Sequence, residues 1–211
     1  MTILLIIITC IISVIAFNNR DLFVRLQFNA YQIYHRREYY RMLTHGFVHA
    51  NWWHLGMNML VLYFFGRYVE QQFNALAGSG LLKFPLLLYV LMYVLAIVFA
   101  STISLVKYKD VYWYNAVGAS GAVAAIMFFF IFFQPWQRIC LYGVLCIPGI
   151  LFAVLYLFYS HYMARRGGDN INHDAHLLGA VFGFVFPLFI NINLYKVFIN
   201  QLTSVVQHFF H

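Results

Sequence analysis

Tyr114-Asn115-Ala116-Val117-Gly118-Ala119-Ser120-Gly121-Ala122-Val123-Ala124-Ala125 is a polar loop that turns, at one hydroxyl among small residues, into an apolar run. That run, Gly118 to Phe133, is 16 residues long. As an α-helix it spans roughly 24 Å, against a hydrocarbon core of about 30 Å. A helix that short does not cross alone. Either the loop before it dips into the bilayer or the membrane thins, and in both cases Ser120 lies below the membrane surface. A serine at that depth implies a water-filled cavity or a satisfied packing contact, and Ser120 is the nucleophile candidate.

The composition agrees with a membrane setting. Hydrophobic residues make up 64% and charged residues 9% of the chain, and the mean hydropathy is +0.76, far from the balance of a soluble domain. The chain reads as an integral membrane protein, all-α. Its 211 residues suffice for about six helices with short connections, in a single domain over 1–211 with no room for a second. The +7 charge does not point to nucleic acid, because the basic residues are scattered between apolar runs and form no patch. Lipid head groups are their expected partners. Cys10, Cys140 and Cys146 fall within apolar runs and read as packing residues, with no disulfide framework. The first run lacks a basic leader and an Ala-x-Ala site, so it reads as a retained helix.

Read in order, the expected spans are Ile3 to Phe17, Trp52 to Val69, Phe84 to Val106, Gly118 to Phe133, Ile139 to Tyr159 with a kink at Pro148-Gly149, and His176 to Ile192. Asn18 to Ala50 alternates Tyr, Phe and Arg and suits the headgroup region. Ser160 to Ala175 is a polar loop in which Arg165-Arg166 faces head groups, and the 19 residues after the last span are at best amphipathic. Because successive spans alternate in direction, the second, fourth and sixth all start on one face, which brings His54, Ser120 and His176 to the same side. That face also carries nine of the 13 Lys and Arg residues. The positive-inside rule taken alone would make it cytoplasmic, but five of the nine sit in the one amphipathic segment.

Cleavage of an amide or ester by serine needs a base for the hydroxyl proton, and a histidine in reach serves near neutral pH. His176 is the best placed. With Gly179 and Gly183 it forms a helical stripe at i, i+3 and i+7 that lets helices approach closely, and Gly121, Ala122, Ala124 and Ala125 offer the matching surface. Backbone N–H groups near Gly118 and Ser120 are available to a developing oxyanion. His54 and Asn58, at i and i+4, are side-chain donors on one face of the second helix. No acidic third member is evident, since Asp174 would point away from His176 once the helix has begun. Glu70 is expected to pair with a base or cap the bundle. Each piece also has a plain structural reading, Gly-Ala-Ser-Gly as a packing motif above all. The conjunction of Ser, two His and Asn at like-sided helix starts favours chemistry. His45-x-x-x-His49 and His173-x-x-His176 suggest a membrane metalloenzyme as an alternative, although they lack the paired histidines and carboxylates of di-metal sites.

From about Glu38 to Phe186 the residues resemble the rhomboid family of intramembrane serine proteases. Three blocks carry the likeness. Tyr40-Arg41, His45 and His49-Ala50-Asn51-Trp52-Trp53-His54-Leu55-Gly56-Met57-Asn58 resemble the family's His…His-x-x-x-Asn block. Gly118-Ala119-Ser120-Gly121 resembles Gly-x-Ser-Gly, and Ala175-His176-Leu177-Leu178-Gly179 with Gly183 resembles Ala-His-x-x-Gly-x-x-x-Gly. The resemblance implies a six-transmembrane-helix rhomboid bundle with its core at about 38–192. It implies a Ser120–His176 dyad without an acid, an oxyanion hole of His54, Asn58 and the Ser120 amide, and no metal or other cofactor. It gives Arg41 and Glu70 the task of holding the first loop and the end of the second helix. The partners it implies are transmembrane protein substrates, admitted laterally and unwound, with no nucleic acid. It implies a multi-pass protein of the cell or inner membrane with the site open to the extracytoplasmic side. Two departures stand out: Ala124 takes the place of a tyrosine that in many members stacks on the catalytic histidine, and Tyr40 replaces a Trp. The first is compatible with a catalytically silent protein that binds transmembrane helices. Pro148-Gly149 makes a hinge in the fifth span plausible.

Overall fold

The computed structural model of the protein describes residues 1–141, 144–169 and 171–209. It is predominantly helical. The first helix, α1 (Thr2–Asn18), buries Thr2, Leu5, Thr9, Ser13 and Ala16 and turns Leu4, Ile7, Ile8, Ile11 and Ile15 outward. This reverses the pattern of a soluble amphipathic helix, since small and hydroxylated residues face the protein.

The segment expected at the headgroup level is a folded cap. It contains α2 (Arg20–Leu26), β1 (Phe28–Asn29), α3 (Ala30–Arg36), α4 (Arg41–Thr44) and a 3-10 turn, His45–Phe47. Short polar side chains start its helices: Asn19 accepts from the Leu22 N–H at 3.0 Å and Asn29 from the Gln32 N–H at 2.8 Å. Phe28 and Ile33 are fully buried beneath it. Then α5 (Trp52–Gly78) starts at the Asn51 cap and continues nine residues beyond the expected end at Val69. α6 (Pro85–Ala100) passes through a break at Ser101 into α7 (Thr102–Tyr108). There the Ser101 hydroxyl donates to the Val98 carbonyl at 2.9 Å.

β2 (Asn115–Ala116) pairs antiparallel with β1, Phe28 opposite Ala116, and anchors the loop that leads into α8 (Ser120–Phe133). This short helix is the axis of the fold. From Gly121 to Phe133 every residue is buried, enclosed by α5, α6 and the later helices, and Gln134-Pro135 ends it. The expected fifth span is corrected here. Its first part is a β-hairpin, β3 (Arg138–Leu141) with β4 (Leu145–Pro148), and residues 142 and 143 lie outside the described residues. Pro148-Gly149 is the cap of the following helix, α9 (Gly149–Arg166), and not a kink within it. A disulfide joins Cys140 to Cys146 across the hairpin; paired strands bring the two side chains together, which overturns their reading as packing residues, while Cys10 is free. α10 (His173–Ile190) begins three residues before its expected start, and α11 (Leu194–Phe209) lies against α8 and α10.

Two helical stretches among the described residues, Pro85–Tyr108 and His173–Ile190, are long and apolar enough to cross a membrane, and α1 and α8 are shorter apolar helices. The outer faces of α1, α5, α6 and α9 expose large apolar side chains, among them Ile11, Phe64, Leu87, Val154 and Phe158.

Candidate active site

α8 and α10 meet through glycine. A side chain at Gly179 would fall on the Gly121 carbonyl and one at Gly183 on the Ala125 carbonyl, while Gly121 also faces Ala175. Both members of each pair advance by one turn, so the helices run parallel with their backbones in contact. Ser120, first in α8, and His176, at the end of the first turn of α10, thus stand at one level and are both half-buried. Among the described residues no hydrogen bond joins them. Catalytic hydrogen bonds are often long before substrate binds.

The start of α10 is tied to α7. Asn172 accepts from the Ala175 N–H at 3.1 Å and from the Ser104 hydroxyl at 3.2 Å, and its Nδ2 lies 2.9 Å from the same hydroxyl. Asp174 accepts from Lys107 at 3.1 Å and so points away from His176.

Gly118 has φ +115°, a backbone conformation that side chains resist. A Cβ there would also lie 2.8 Å from Nε2 of His54. The Gly118 N–H donates to the His45 carbonyl at 2.9 Å, so this amide, expected among the oxyanion donors, is already used. Gly118 shapes the site by lacking a side chain. The Ala119 N–H donates to His49 Nε2 at 3.3 Å. Because Nε2 accepts, Nδ1 carries the proton and donates to Ser13 Oγ at 3.0 Å, and Ser13 donates onward to the Phe47 carbonyl at 2.9 Å. This chain of bonds runs from α1 to the residue before Ser120. Burial pushes the His49 imidazole down to about 3 and that of His45 to about 4, so both are neutral near pH 7.

Among the described residues the backbone N–H of Ser120 takes no acceptor. His54 Nδ1 faces the Ala50 N–H at 3.5 Å, which leaves Nε2 as the N–H nitrogen beside Gly118. Asn58 donates from Nδ2 to the His54 carbonyl at 2.8 Å and keeps a second N–H free. The Ser120 amide and the His54 ring nitrogen beside Gly118 are thus unengaged donors at this loop, and Asn58 lies one turn further along α5 from His54.

The supporting residues lie further out. Arg41 donates from Nη1 to the carbonyls of Val24 at 2.6 Å and Gln27 at 3.0 Å, and from Nε to Glu38, which gathers the cap around one guanidinium. Glu70, in the second half of α5, accepts from the Thr2 amide at 3.0 Å and the Thr2 hydroxyl at 2.8 Å. Thr2 Oγ1 lies 3.0 Å from the Tyr89 hydroxyl, which joins α6 to the same cluster.

Three features escape the sequence reading. Asp169 accepts from His173 Nε2 at 3.0 and 3.2 Å. The His173 ring stands edge-on to His176 at 5.9 Å. On α9, Tyr156 lies parallel to the His176 ring, 20° between planes and 6.3 Å between centroids. Within an apolar span, a tyrosine gives no signal of what it will face. No group of three or more His, Cys, Asp or Glu side chains converges among the described residues.

Among protein families, the Rhomboid domain model matches residues 36–192. Among curated proteins, RHOMBOID-like protein 12, mitochondrial, of Arabidopsis thaliana is 28% identical over 150 residues, which cover 66% of this chain and 43% of that protein. The similarity thus spans less than half the length of the relative.

Proposed function

This chain belongs to the rhomboid family, and on that premise we propose that it is an intramembrane serine endopeptidase with Ser120 as nucleophile and His176 as general base. The register of α8 against α10 carries this reading, since it sets the hydroxyl and the imidazole at one level beside unengaged backbone and side-chain donors. His176 takes the Ser120 proton as Oγ bonds to the scissile carbonyl carbon. The Ser120 amide, His54 and Asn58 stabilise the oxyanion. The C–N bond then breaks, and the leaving amine takes the proton from His176. Water, deprotonated by His176, cleaves the acyl-enzyme and releases the serine. The substrate is a transmembrane segment that unwinds locally, because a helix keeps its carbonyls hydrogen-bonded.

Members of the family are membrane proteins, and the apolar outer faces of α1, α5, α6 with α7, α9 and α10, around the buried apolar α8, support six crossings. In this arrangement the site opens to the extracytoplasmic face. Two observations favour the opposite orientation: nine of 13 Lys and Arg residues lie on the face of the site, and the Cys140–Cys146 disulfide lies at the other end. A metalloenzyme reading finds no convergent ligand set among the described residues.

The test is cleavage of a fluorescent transmembrane peptide by the purified protein in detergent. Wild type cleaves in the presence of a strong chelator, and Ser120→Ala loses about 10³-fold or more in kcat. Cleavage that survives Ser120→Ala, or that the chelator abolishes, overturns the dyad. Binding of the peptide without cleavage marks the silent helix-binding protein instead.

A further inference from the structure

We propose that Tyr156 of α9 is the positioning residue for the His176 imidazole, so that the base is aligned only while α9 is packed in place. The proposal rests on the serine endopeptidase reading. Among the described residues the His176 ring forms no hydrogen bond, so neighbouring rings set its plane. Tyr156 lies parallel to it, at 20° and 6.3 Å, within the range of offset aromatic pairs. His173 meets it edge-on at 74°.

Tyr156 is itself held on two sides, by Phe128 of α8 at 5.4 Å and by Phe152, one turn earlier on α9, at 5.6 Å. Ala124, one turn before Phe128 on the same side of α8, contributes only a methyl group, so no ring of α8 lies there. A second pair repeats the arrangement three residues on. Tyr159 meets His173 edge-on at 5.6 Å and 81°, so two tyrosines one turn apart on α9 hold two histidines one turn apart on α10. The α9 surface on the other side, with Val154, Leu155 and Phe158, is exposed and apolar. α9 is thus an outer helix whose inner face carries the ring that aligns the base, and displacing it removes that ring from the site.

The experiment compares Tyr156→Phe and Tyr156→Leu with wild type. The leucine fills much of the space without a ring. We expect kcat for the transmembrane peptide to fall about tenfold in Tyr156→Leu with KM unchanged, about 1.4 kcal/mol at the transition state, and Tyr156→Phe to rescue it. A wild-type kcat in Tyr156→Leu, or an equal loss in Tyr156→Phe, overturns the proposal. A thermal double-mutant cycle with His176→Ala decides the contact without turnover. Interacting rings make the loss of Tm in the double variant smaller than the sum of the single losses, and a loss equal to the sum overturns the proposal. Absence of Ser120-dependent turnover in wild type would sink the endopeptidase reading alone, with the cycle still deciding the ring contact.

Discussion

Gly118 shows how one residue serves two needs. Its φ of +115° and the His54 ring packed against it both exclude a side chain. Gly118→Ala should cost about 1–3 kcal/mol of stability and displace His54, and thermal unfolding alongside kcat checks both. His54→Ala should lower kcat by about 10²–10³ with a smaller change in KM, the loss expected for one oxyanion donor. His45 and His49 fix a pH response. Their folded values, about 4 and about 3, lie below the ordinary 6.5, so the unfolded chain binds their protons first. Their stability contribution is therefore full above about pH 6.5 and falls as pH drops from there toward 4. The Tm measured from pH 7.5 to 4.5 should decline over that window, and His49→Gln should flatten part of the slope. The sequence exposed Ser120, His176, His54 and Asn58 because polar groups stand out in apolar runs. Tyr156 and the Ser13–His49 link stayed hidden because only packing creates them.

The glycine stripe of α10 is the feature at element scale with the sharpest consequence. Gly179→Val would drive its side chain into the Gly121 backbone and part the helices that bear the serine and the histidine. A stability loss of about 3 kcal/mol, read as Tm, should accompany loss of cleavage. Hydropathy located every long apolar run yet misjudged the ends. Arg67, Glu70, Gln71 and Gln72 dilute the apolar signal of α5, but the helix continues through them to Gly78. From Ile139 to Ile147 the chain is apolar in a way that suits a strand as well as a helix. The hairpin there depends on pairing that no periodicity announces, and the same pairing brings Cys140 to Cys146.

Orientation is a property of the molecule as a whole. Asp110 is exposed on the face of the site, between α7 and β2. In the extracytoplasmic arrangement, Asp110→Cys in intact cells should react with a membrane-impermeant maleimide. Labelling that requires lysis would assign the reverse orientation, the one favoured by the charge distribution and the disulfide. The composition announced the membrane, but the order of packing around α8 was not legible, because its faces are apolar all round and no stripe names a neighbour. The inward hydroxyls of α1 also bear on how the protein is made. Ribosomes finish α1 about 60 residues before α5 is complete, roughly 3–12 s at 5–20 residues per second. The partner of Ser13, His49, is made before α5 begins, and that of Thr2, Glu70, only within α5. The Ser13 hydroxyl, inside α1, can bond to a carbonyl one turn back in its own helix, so it need not wait unmet in lipid, whereas Thr2, the first residue of the helix, has no such carbonyl and depends on Glu70. Assembly exchanges that private bond for a shared one, so the inner face of α1 is completed only after the chain has reached Glu70.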